Sequence, residues 1–203
     1  VAIVAIGDCV MSVLEPANLR PHDLAKTEID AWRGRCLNTF SRAEKAVIKT
    51  LETMQSANTK LAIEPLAGQR LKTLEKLASS QSATDAQNAA VASALAEWRQ
   101  LDLNRPFFSH GIVTELVDRQ GKWHVRFDFI AVKKGVLNEQ TLHWSKDEAA
   151  DFESQLHRAF MLISGQLGQL RKRMEAKDHL PPSNANTAPT PNPRPAPGKS
   201  TPG

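Results

Sequence analysis

Arg105 and His110 stand five positions apart in the run Leu103-Asn104-Arg105-Pro106-Phe107-Phe108-Ser109-His110-Gly111, and they carry the two groups that phosphodiester cleavage most needs. A guanidinium is permanently charged, and its forked donors match phosphate oxygens on which negative charge accumulates. An imidazole, with an unperturbed pKa of about 6.5, can take a proton from one oxygen and deliver one to another near neutral pH. Asn104 and Ser109 flank the pair as hydrogen-bonding groups able to orient a phosphate or the imidazole. The same residues have a purely structural use. Arg105 can serve as a cation at a helix C-terminus, and His110 as a partly buried hydrogen-bonding residue before Gly111, where the backbone turns into a strand. On the residues alone both uses stay open.

The run lies where one periodicity replaces another. From Thr27 the apolar positions Ile29, Trp32, Cys36, Phe40, Ala43, Val47, Leu51 and Met54 recur in steps of three and four, which predicts one long amphipathic helix. Glu44 lies beside that stripe and is placed to pair with Arg105. A second helical pattern carries Leu66, Leu71, Leu74 and Leu77 after Pro65 and stops at Ser79-Ser80-Gln81-Ser82. A third, capped by Asp85 or Ser82, presents Val91, Leu95, Trp98 and Leu101 and ends at Asn104 and Pro106. Strict alternation follows: Ile112 to Val117, a turn at Asp118-Arg119-Gln120-Gly121, then Trp123, Val125, Phe127, Phe129 and Ala131 against His124, Arg126 and Asp128. Lys133-Lys134-Gly135 makes a second turn, and Leu137 to Trp144 completes a three-stranded meander. Ser145-Lys146-Asp147-Glu148 forms a capping box before a last helix with Ala149, Phe152, Leu156, Phe160, Ile163, Leu167, Leu170 and Met174 on one side.

Amphipathic stripes of this length must be buried against one another. The expected fold is therefore mainly α, an antiparallel four-helix bundle with a small three-stranded antiparallel β-meander inserted before the last helix. The expected domain spans residues 27–178 with the hairpin insertion at 107–144, between a partly disordered N-terminal segment at 1–26 and a disordered Pro-rich tail at 179–203.

Composition narrows the function classes. A formal charge of +4 and a pI near 9.2 permit a phosphate-bearing partner without demanding one. Cys9 and Cys36 make neither a disulfide framework nor a metal cluster, and they suit a reducing cytoplasm. The six histidines are scattered, and no HExxH, paired CxxC or EF-hand spacing supports a metal site. The apolar run from Val1 to Gly7 is too short for a membrane span and has no basic region before it, and Met11 is an alternative start to Val1. No helix-turn-helix with a basic recognition helix supports a DNA-binding regulator. The aromatics Trp123, Phe127 and Phe129 suit a face packed on a helix better than a base-stacking platform, with His124, Arg126 and His143 on the other face or at its edge as scattered surface charge. Arg171-Lys172-Arg173 suits the negative end of the last helix dipole.

The arrangement resembles the HEPN superfamily (higher eukaryotes and prokaryotes nucleotide-binding). Its members are helical bundles with an Arg, four to six residues, then a His near the start of the last helical region. Arg105 and His110 match that spacing, and Asn104-Arg105 to Ser109-His110-Gly111 is similar to strings in HEPN-like proteins. The stretch AWRGRCLNTFSRAEKAV, with Trp32, Phe40 and Glu44, is similar to the family's opening helix. The resemblance covers roughly residues 27–175 in architecture and the Arg/His pair in motif. It departs at Pro106, where ribonuclease members usually carry a polar residue, often Asn; here the Asn is Asn104, on the other side of the Arg. The resemblance implies a metal-independent endoribonuclease of toxin or defence type, without a cofactor, in which a ribose 2′-hydroxyl attacks the adjacent phosphate. It implies Arg105 and His110 as catalytic residues, supported by Asn104, Ser109 and Glu44. It also implies a homodimer that brings two Arg/His pairs together, RNA as substrate, and an antitoxin or other protein as partner. The alternative is a non-catalytic HEPN-like module that binds a partner protein or a nucleotide.

Overall fold

Pro21, rather than Thr27, opens the first helix. Proline is tolerated in the first turn, where its missing N–H would have no partner, so α1 (Pro21–Ala57) starts six residues before the predicted boundary and adds Ala25 to the buried stripe. The computed structural model describes residues 20–80, 84–133 and 135–178. The N-terminal apolar run, Met11, Cys9, Ser82 and the Pro-rich tail lie outside the described residues. Beyond α1 come α2 (Ala67–Ser80), α3 (Asp85–Asp102), a short α4 (Arg105–His110), β1 (Ile112–Val117), β2 (Trp123–Lys133), β3 (Val136–Ser145) and α5 (Lys146–Asp178).

Local chemistry accounts for the element ends. Thr84, rather than Asp85, caps α3, its hydroxyl accepting from the Gln87 N–H at 3.3 Å. The capping box of α5 is present: the Ser145 N–H and hydroxyl both donate to Glu148 Oε2 at 2.8 Å, and the Glu148 N–H returns to Ser145 Oγ at 3.3 Å. These bonds favour the ionised form and hold the Glu148 carboxyl below its ordinary range. The hairpin insertion does not begin at residue 107, because Phe107 to His110 are helical. Pro106 has no N–H to give the Asp102 carbonyl, so α3 ends there. Leu103 and Asn104 keep right-handed dihedrals, and a new helix restarts with Pro106 in its first turn.

The contacts between the two long helices show their direction. Glu28 meets Lys146, Arg35 meets Glu153, Arg42 lies over the Phe160 ring at 4.6 Å, and Thr50 meets Arg171. Partners advance together along both chains, so α1 and α5 run parallel. This corrects the expected antiparallel course for that pair. Apolar stripes bury equally well in either direction, and the long path through α2, α3 and the sheet lets the chain return to its starting end. α2 packs on α1 and α3, and α3 on α5. Arg171 also fastens the two helices, its Nη1 donating to Thr50 Oγ1 at 2.8 Å in the α1/α5 seam.

The sheet has the order β1-β2-β3, antiparallel throughout, with Val113 opposite Phe127 and Phe127 opposite Leu142. Its turns place Gly121 and Gly135 at φ of 82° and 79°, where glycine is favoured. The face carrying Trp123, Val125 and Phe127 is buried against the helices. Phe108 of α4, fully buried, sits at its centre: ring centroids lie 5.2 Å away for Trp32, 5.3 Å for Phe127, and 5.5 Å for both Trp144 and Phe152. Trp32 Nε1 donates to the Ala149 carbonyl at 2.9 Å, so the indole is satisfied inside the core. Cys36 is buried beside this layer, and burial pushes its thiol up to about 12. Among the described residues no helix is long and apolar enough to cross a membrane.

Phe108→Ala should remove the ring that joins these elements and lower the unfolding free energy by about 3–5 kcal/mol. Urea denaturation followed by circular dichroism measures it, and a loss below about 1 kcal/mol would show that the aromatic layer closes without Phe108.

Candidate functional site

Phe108 sets the roll of α4. With that ring inward, Arg105, Pro106, Ser109 and His110 border a cleft of about 410 Å³ whose other walls are the middle of α1 and the start of α2. The far end of α4 is held by Arg33, whose Nε donates to the Phe108 carbonyl at 2.8 Å. Gly111 then turns the chain into β1. A Cβ there would stand 2.4 Å from the Phe107 carbonyl oxygen, so only glycine fits without a shift.

The cleft is ionic, and its charges are already matched. Glu44 on α1 is shared between two arginines. Its Oε2 accepts from Arg105 Nη1 at 3.2 Å, and its Oε1 pairs with Arg70 Nη2. Arg105 also reaches Asp102 with Nε, 3.4 Å from Oδ1. Arg70 further donates from Nη1 to the carbonyls of Glu64 at 2.8 Å and Pro65 at 2.5 Å, which ties the stretch before α2 to the bundle. Two guanidinium groups and two carboxylates sum to zero. Burial raises the Asp102 carboxyl above its ordinary range; Arg105 opposes that shift and Glu44 adds to it.

The sequence-predicted residues divide. Glu44 and Arg105 are brought together. Ser109 Oγ donates to the Arg105 carbonyl at 3.0 Å within its own helix. Asn104 sits in the α3/α4 junction with Nδ2 3.4 Å from the Leu101 carbonyl oxygen, and it does not border the cleft. His110 is exposed on the rim and has no hydrogen bond or ion pair among the described residues. Five helical residues turn through about 140°, so Arg105 and His110 leave α4 on different sides although both border one cleft.

Sequence reasoning missed Arg70. A lone cation beside a weak apolar stripe carries no sign of a carboxylate 26 positions earlier, and only the packing of α2 on α1 joins them.

The outer face of the sheet is polar but largely paired. The His124 and His143 rings stack at 5.6 Å and 17°, His124 Nε2 lies 3.6 Å from Asp118 Oδ2, and Arg126 bonds Asp128 at 3.0 Å. Among the described residues no group of three or more His, Cys, Asp or Glu side chains could hold a metal ion. No family model, curated protein or solved structure matches the chain.

Glu44→Ala should leave two part-buried guanidinium groups without their shared carboxylate and cost about 1–3 kcal/mol of stability in chemical denaturation. A double-mutant cycle with Arg105→Ala should return a coupling of about 0.5–3 kcal/mol; strict additivity would mean that the two side chains do not interact in solution.

Proposed function

We propose that this chain is a non-catalytic helical module that assembles with a partner protein. One observation carries the reading: the Arg105 guanidinium is divided between Glu44 and Asp102. A phosphate clamp works through donors aimed at developing negative charge and free of other anions. Here an incoming phosphate would have to displace a carboxylate that also neutralises Arg70. The ion pairs instead lock α1, α2, α3 and α4 together, a structural use for the arginine of the motif. The apolar side chains exposed at the far end of β2 and β3 favour a protein partner. The pairwise packing of α1, α2, α3 and α5 supports a four-helix bundle with the sheet inserted before α5, and the spacing of Arg105 and His110 supports a HEPN-like kinship.

A second reading, a metal-independent endoribonuclease, is favoured by the position of His110, unpaired on the rim of the cleft that Arg105 and Arg70 border. One copy holds one such imidazole, so this chemistry would need two copies to place an acid and a base on one phosphodiester.

Purified protein incubated with mixed RNA in EDTA is expected to leave the RNA intact. Cleavage by the wild type that both Arg105→Ala and His110→Ala abolish, with folding unchanged by circular dichroism, would establish the ribonuclease reading instead.

A further inference from the structure

β2 and β3 extend beyond β1. Pairing of β1 with β2 ends at Ile112 opposite Asp128, whereas β2 stays paired with β3 as far as Lys133 opposite Val136. The chain before Ile112 comes from the helix layer, where Phe107 of α4 packs on Phe129 with ring centroids 5.6 Å apart. Past Asp128, β2 therefore has a strand neighbour on one side only among the described residues.

The hydrogen-bonding parity of that free edge follows from the turn before it. The Asp118 N–H donates to the Lys122 carbonyl at 2.9 Å, which makes 118 and 122 a hydrogen-bonded pair. Bonded and non-bonded pairs alternate in an antiparallel ladder. Residues 124, 126 and 128 therefore bond toward β1, and the odd-numbered residues of β2 bond toward β3. The N–H and C=O groups of Ile130 and Val132 then point to the vacant side. Their side chains are also open, 56% and 71% exposed, with Leu137, opposite Val132 on β3, at 71% beside them. An exposed edge with apolar flanks is a template for strand addition.

The sequence of this edge is self-complementary. A two-fold axis perpendicular to a sheet pairs a central residue with its own copy, so each candidate register is named by that residue. Centring on Ile130 would set Val132 against Asp128, whose groups are already bonded to Ile112. Centring on Ala131 sets Ile130 opposite Val132 of the other copy, and the reverse. All four outward backbone groups of each strand are then satisfied and β1 is left in place. The side chains agree with this register: opposed residues share a face, so the open apolar side chains of Ile130 and Val132 on one copy meet those of Val132 and Ile130 on the other.

We propose that two copies of this chain join antiparallel through the free edge of β2, about a two-fold axis at Ala131, so that one sheet runs through both subunits. The inference rests on the reading of the chain as an assembly module. RNA cleavage is measured separately, so either can fail without the other.

The full chain is tested by multi-angle light scattering across a dilution series. Wild type is expected at twice the chain mass at the upper end. Val132→Pro removes an edge N–H that has no partner among the described residues, so the subunit should fold normally while the dimer is lost. A wild type that stays monomeric throughout, or a Val132→Pro variant that remains as dimeric as wild type, overturns the proposal. Geometry is read with Ala131→Cys in a Cys9→Ser background. Facing residues of a non-hydrogen-bonded pair have Cα atoms about 4.5 Å apart, within disulfide reach. Mild oxidation should therefore link most of the Ala131→Cys chains, and several-fold fewer of the Ile130→Cys chains, whose equivalent residues lie two positions out of register. Equal cross-linking of the two variants, or none, would place the contact elsewhere.

Discussion

The packing of Phe108 is the constraint on which the other features depend. Its ring is enclosed by Trp32 and Phe40 of α1, Phe127 of β2, Trp144 of β3 and Phe152 of α5. A six-residue helix has little stability of its own, so α4 exists because this side chain is buried. Once the ring is placed, the rotation of α4 is set, and with it the residues that face the cleft. The sheet is held from the same point, since Phe127 and Trp144 pack on Phe108 from neighbouring strands.

Around that apolar centre the polar groups serve mainly to fasten elements together. Trp32 and Trp123 carry indole N–H groups into the packed layer, where the Ala149 carbonyl and Glu28 satisfy them. Glu44 has the same kind of role among charges, bridging α2 and α4 from α1. Arg105 is thereby drawn into the scaffold, although a guanidinium in the cleft at first suggests chemistry. His110 differs: it borders the same cleft and is fastened to nothing there.

The sheet combines a fully used inner face with an arm that extends past its covering. Trp123, Val125 and Phe127 have the helices above them, whereas Ile130 and Val132 lie beyond the reach of β1. Beta edges are usually blunted by charge, proline or covering segments. This one carries the exposed apolar side chains of Ile130 and Val132 along its open stretch.

Much of the fold was legible in the residue pattern. Apolar steps of three and four located the long helices, alternation located the strands, and Ser145 with Glu148 marked the start of α5, because each of these signals is local and needs no distant partner. The alternation also identified the face that is buried, since a half-covered strand shows its environment at every second residue. Tertiary structure alone decided the parallel course of α1 and α5, because a stripe of apolar side chains has no direction. It alone joined Arg70 to Glu44, because an ion pair between separate elements leaves no spacing to read. Around Pro106 the sequence correctly ended α3 but did not show the helix that follows, which is stabilised by contacts of Phe108 with residues far away in the chain. The Arg105 and His110 spacing was visible from the start; whether the arginine is available to a ligand depended on two carboxylates that only folding brings to it.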